Sequence, residues 1–142
     1  MVEADGRARW GVTLLRVAAA SVFVVHGTAR TYVGGVWPFG GYLDGMGFPA
    51  GSAIAWTLTI VEIVGGLALA LGLVVRPLCL WFAVQIAFGI AMIHGRAGWF
   101  VVGLGRNGME YSALILAVLA AVALADPIAY RVPVGRSAPS KP

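Results

Sequence analysis

The sequence predicts an all-α fold, an integral membrane four-helix bundle with both termini cytoplasmic. Three observations predict it. Of 142 residues, 60% are hydrophobic and only 11% charged, where a soluble domain carries roughly 25% charged residues. The mean hydropathy of +0.89 is too apolar for a water-exposed surface. The apolar residues fall into four stretches near the length of ~20 residues that crosses a bilayer core.

The first stretch runs over about 10–30. Arg16 interrupts its apolar core, and Glu3 and Asp5 spoil a purely basic leader, so it reads as a retained helix and not a signal peptide. The second covers about 52–74 and the third about 77–94, where the run from Leu80 to Ile93 is apolar except for Gln85. The fourth covers about 108–125. Residues 1–126 therefore form one four-helix transmembrane domain, and 127–142 a polar, Pro-rich cytoplasmic tail.

The connections fit this division. "TYVGGVWPFGGYLDGMGFPAG" is rich in Gly, Pro and aromatics, and reads as a structured interfacial loop or re-entrant turn. "VRP" at 75–77 reads as a tight hairpin connection, with Pro77 suited to a helix start. "GRAGWFVVGLGRNG" links the last two spans.

Orientation rests on the basic residues. Arg7, Arg9, Arg76, Arg131, Arg136 and Lys141 fall on the side of the termini, against Arg30, Arg96 and Arg106 on the other. The excess places the termini in the cytoplasm. Scattered as they are, these charges report membrane orientation and lipid contact, not nucleic-acid binding. Cys79 is the only cysteine, which excludes an intramolecular disulfide and CxxC chemistry, and inert burial is its expected state.

Ionisable groups inside a bilayer are costly, about 2.5–3.5 kcal/mol each at a helix centre. The set here is Arg16, His26, Arg30, Glu62, His94 and Glu110, with neutral Gln85. With cytoplasmic termini, His26, His94 and Glu110 lie near the outer surface. Glu62 lies about ten residues into the second span, about 15 Å deep. It is expected to face the interior, with Arg30 or His26 as partner. Arg16, Phe23 and Arg30 repeat at seven, and His26 lies on a neighbouring line. Thr59, Glu62 and Gly66 share a face whose small residues permit close packing. Arg106, Asn107 and Glu110 cluster at the first turn of the fourth helix. His94 is about half a turn from Gln85 on the wheel, and shares its face only if the helix unwinds there.

Such a cluster could relay protons in quinone chemistry, recognise a small anion, or ligate a metal. It could equally be a salt-bridge network that only fixes the bundle. No HxxxH or ExxH spacing supports a metal, and none is predicted. The candidate catalytic residues are His26, Glu62 and Glu110, and the candidate substrate-binding residues are Arg30, His94 and Arg106. "VVHGTAR" and "MIHGRAG" also echo one another, each ending an outward helix with His-Gly.

An Arg in the first helix, followed by "HGTAR", "GYLDGMGFP", "VEIVGGLALALGLVVRP" and a late "GMEYSALIL", resembles the DoxX family over about residues 11–126. The strongest parts are the HG near the end of the first helix and the E-x-x-G-G-x(5)-G pattern before R-P. The resemblance implies a small multi-pass protein of the bacterial inner membrane. Relatives are subunits of thiosulfate:quinone oxidoreductases, or membrane partners of thiol-redox and superoxide-detoxifying enzymes. By this likeness Arg16, His26, Glu62 and Glu110 occupy recurring polar positions, and Arg30 stands where many relatives carry Lys. The chain has "ADPIAY" where many members have a Gly-Pro-Gly…Asp ending.

The expected function is a quinone-linked redox subunit or the membrane anchor of an oxidoreductase or oxidative-stress complex. The alternatives are a non-catalytic scaffold with a structural polar network, or a small-molecule or ion transporter. No flavin, haem or nucleotide motif occurs, so if electrons pass through the chain a bound quinone or a partner must carry them. The expected partners are the lipid bilayer and a redox-enzyme subunit, and oligomers are compatible with the sequence.

Overall fold

The computed structural model describes residues 2–126, so the expected tail at 127–142 lies outside the described residues. Five helices make up the described chain, with no strand among them: α1 (Val2–Tyr32), α2 (Val36–Gly45), α3 (Gly51–Ala70), α4 (Val75–Ala97) and α5 (Glu110–Ala125). Three of them, α1, α3 and α4, are long and apolar enough to cross a membrane. α5 is shorter at 16 residues, about 24 Å at the α-helical rise. This is an all-α membrane protein.

The four long elements run antiparallel in sequence order. Arg16 of α1 meets the end of α3 at Ala70 and Gly72, while Arg30 meets Thr59 and Glu62. Arg76 at the start of α4 bonds the carbonyls of Ala123 and Asp126 at the end of α5. The shared core holds Ala20, Phe23, Leu69, Phe82, Leu119 and Val122. Phe23 and Phe82 stack with ring centroids 3.9 Å apart. Outward positions such as Leu14, Val25, Leu67 and Leu114 stay exposed, the inverse of a soluble bundle and what a lipid-facing surface requires.

Glycines set the closest seam. A Cβ at Gly27 would stand 3.0 Å from the Cβ of Glu62 and 3.1 Å from the carbonyl oxygen of Thr59. One at Gly66 would meet Val24 at 2.7 Å. These two positions let α1 and α3 approach backbone to backbone, as small residues do in membrane helix pairs.

Three features differ from the sequence reading, the first being that α1 already begins at Val2 and not at about residue 10. α3 stops at Ala70, and the turn runs through Gly72 (φ +77°) to Val74 (φ 48°), so that "VR" already belongs to α4. The amide of Leu73 donates to Ala68 and that of Gly72 to Leu69, a Schellman-type stop in which glycine takes the left-handed position. The expected interfacial loop contains a helix, α2. Val36, Gly40 and Leu43 are its buried face, packed with Ala55 of α3 and Met92 of α4.

Candidate functional site

Glu62 sits in a π-helical turn, Val61–Gly65, inserted in α3. Such turns widen the helix by one residue and shift the register of the turns beyond, and they are frequent at functional sites. The Glu62 side chain is 2% exposed and its partner Arg30 is 13% exposed. The two form a forked ion pair: Nη1 of Arg30 donates to Oε2 at 2.8 Å, and Nη2 to Oε1 at 3.1 Å. Nη1 also donates to Oγ1 of Thr59 at 2.9 Å, and that hydroxyl donates to the carbonyl of Ala55 at 2.7 Å. From α4, Nε2 of Gln85 donates to Oε1 of Glu62. Three helices thus converge on one carboxylate.

α2 closes the cluster from the side. The ring of Phe39 lies 4.9 Å from the Arg30 guanidinium carbon, within cation–π range. The amide of Gly35 donates to the carbonyl of Arg30 at 2.8 Å, which fixes where α2 leaves α1. One polar atom of the cluster is left over: Oε1 of Gln85 is buried without a hydrogen-bond partner.

The other sequence-predicted residues stand elsewhere. His26 is exposed on the outer face of α1, beside Ser21, Val22, Val25 and Ala29. Its neighbour Gly27 faces Glu62 instead, so the inward stripe of α1 is Arg16, Ala20, Phe23, Gly27 and Arg30. His94 ends a second π-helical turn, Ile90–His94. That is the local unwinding its position relative to Gln85 required. Even so, His94 bonds by Nδ1 to the Asn107 carbonyl at 2.9 Å, for which Nδ1 must carry the proton. Glu110 accepts from the amide of Val101 at 3.0 Å. Both side chains therefore tie down the 98–109 loop. Arg106 is exposed on that loop. Arg16 ends against Gly72, with Nη2 3.4 Å from the Ala70 carbonyl. Among the described residues no three His, Cys, Asp or Glu side chains are grouped to hold a metal.

Sequence reasoning also missed Asp44. Its Oδ1 accepts from the amide of Gly51 at 2.7 Å and so ties α2 to the first turn of α3. The signal was present: an acidic side chain a few residues before a helix start satisfies an otherwise free N–H.

The fold and the site together define a multi-pass all-α membrane protein organised around one buried ion pair. The DoxX family model matches residues 11–95, more than half the chain, and the chain belongs to the DoxX family. The match takes in Arg16, His26, Arg30, Glu62 and Gln85, and ends before Glu110. No curated protein and no solved structure matches the chain.

Proposed function

We propose that the chain is the membrane subunit of a quinone-linked redox or oxidative-stress complex in the bacterial inner membrane. Its own part is to anchor that complex, with Arg30 and Glu62 pinning the bundle. The observation that carries the anchor reading is the saturation of Glu62. Both its oxygens are taken by Arg30, and Oε1 also accepts from Gln85. A carboxylate enclosed in this way fixes three helices, and it has no exposed face from which to exchange protons with a substrate. The family membership and the apolar spans support the membrane setting, and the excess of arginines around the termini supports cytoplasmic ends.

The test is the paired substitution Arg30→Met with Glu62→Met, which removes both charges and leaves no unpaired ion. Well-packed apolar replacement of a buried ion pair is often neutral for stability. The anchor reading expects a folded protein and unchanged quinone-reductase activity in the membranes that contain it. A folded protein with that activity lost overturns it and restores proton transfer through Glu62.

A second reading is favoured by His26. An imidazole on an exposed, mostly apolar face of α1 suits the head of a lipid-dissolved quinone. His26 would hold a ring carbonyl by an N–H bond, and Val22, Val25 and Ala29 would lie along the apolar body. A quinone bound there supplies two-electron acceptance, which the side chains themselves lack. Co-purified quinone, measured by mass spectrometry, should fall severalfold in His26→Ala. Equal quinone in both proteins removes this reading.

A further inference from the structure

A cavity lies far from the ion pair, at the end of the bundle where α1 enters, α3 turns into α4 and α5 finishes. It is an open groove of about 780 Å³. One wall is a stripe of α1 that carries Arg9, Thr13 and Arg16 at i, i+4 and i+7, the spacing that stacks side chains along one helix face. The facing wall includes Val75, Val122 and Asp126. Hydrogen-bond donors thus line one side and mostly apolar surface the other.

Arg16 is the informative member. Its guanidinium lies against Gly72, where the missing side chain leaves it room, and it reaches the Ala70 carbonyl only at 3.4 Å. Its Nε is buried and has no hydrogen-bond partner. A buried N–H of a charged group without an acceptor is costly, and a turn of the Arg16 side chain toward an oxyanion in the groove relieves it. Asp126 contributes one negative charge to the lining against the two arginines, while its own carbonyl is taken by Arg76 at 2.7 Å. The groove keeps a net positive charge.

We infer that this groove is a binding site for an anionic phospholipid. Arg9, Thr13 and Arg16 take the headgroup phosphate, and an acyl chain lies along Val12 and Ala125, with the buried Val75 and Val122 as the floor beneath it. A basic recess between membrane helices with an apolar wall is the form such sites take. The mixed lining favours a lipid over a free anion, which would have no use for the apolar side.

Native mass spectrometry of the detergent-released full chain tests this, with equimolar phosphatidylglycerol and phosphatidylcholine of identical acyl chains. The expected result is preferential retention of one phosphatidylglycerol. Arg9→Gln should cut that preference about fivefold, the effect of one arginine at an anionic membrane surface. Arg7→Gln, the same charge change on a residue outside the lining, should leave it unchanged. Arg16→Lys keeps the charge but deletes the Nε donor and should also weaken the preference. Equal retention of the two lipids overturns the proposal, as does an equal effect of Arg7→Gln and Arg9→Gln. Displacement of the lipid by millimolar inorganic phosphate would make the site one for free anions and overturn it too.

Discussion

The guanidinium of Arg30 meets both carboxylate oxygens of Glu62 across the seam between α1 and α3, with Gly27 as the contact that lets the two backbones close. Substituting one partner alone strands the other charge inside the bundle. Arg30→Gln should therefore destabilise the protein by about 3–5 kcal/mol, the usual cost of breaking a buried pair. Arg30→Lys keeps the charge but cannot make the fork, and should fall between the two. Denaturant unfolding in detergent micelles ranks the three proteins, and an Arg30→Gln protein as stable as the parent would show the pair to be ornamental.

Gly27 and Gly11 make a matched contrast on one helix. A methyl at Gly27 would press on Glu62, Ile63 and the Thr59 carbonyl, whereas one at Gly11 meets nothing within 4 Å. Gly27→Ala should cost about 1–3 kcal/mol through overpacking. Gly11→Ala should be neutral or stabilising, by up to about 1 kcal/mol, from helix propensity. Thermal unfolding of the two variants side by side checks the difference.

Much of the fold is legible in the sequence, and the parts that are not have physical causes. Composition and run length reveal long apolar helices, because a bilayer constrains every residue that faces it. The cost of a buried charge points Glu62 inward and leaves Arg30 or His26 as its partner; in the structure the partner is Arg30. The four-residue spacing groups His26 with Arg30, but the true seam runs through Gly27, 100° around the helix. A glycine gives no hydropathy signal for the face it defines. The π-helical turns at Val61–Gly65 and Ile90–His94 break the 3.6-residue period on which any wheel argument depends. The glycines and Pro38 of α2 hide it, yet Val36, Gly40 and Leu43 stand at i, i+4 and i+7, the spacing of a buried helix face.

Asp44 holds the start of α3 through the Gly51 amide. Asp44→Ala should cost about 0.5–2 kcal/mol, the range for losing a side-chain cap. The loss should concentrate where α2 leans on α3. Trp37 and Trp56 report on that contact, since their rings meet edge to face at 6.3 Å. Asp44→Ala should red-shift tryptophan emission, and Asp44→Asn, which keeps the acceptor, should restore most of it.

Glu110 and His94 secure the loop that joins α4 to α5 from its two ends. Glu110 takes the Val101 amide, and His94 bonds the carbonyl of Asn107, which holds a left-handed backbone at φ 62°. Three backbone bonds close the same loop: Gly108 to Phe100, Met109 to Gly98, and Glu110 to Trp99. Removing one side-chain tie should loosen the loop without unfolding the bundle, because the core of Phe23, Phe82 and Leu119 lies elsewhere. Glu110→Ala should speed amide exchange at residues 98–109 severalfold, with α1 and α3 unchanged. Glu110→Gln keeps an acceptor oxygen for the Val101 amide and should exchange nearly as slowly as the parent. If both variants lower the quinone-reductase activity proposed for its complex while exchange stays at the parental rate, Glu110 acts on protons and not on the loop.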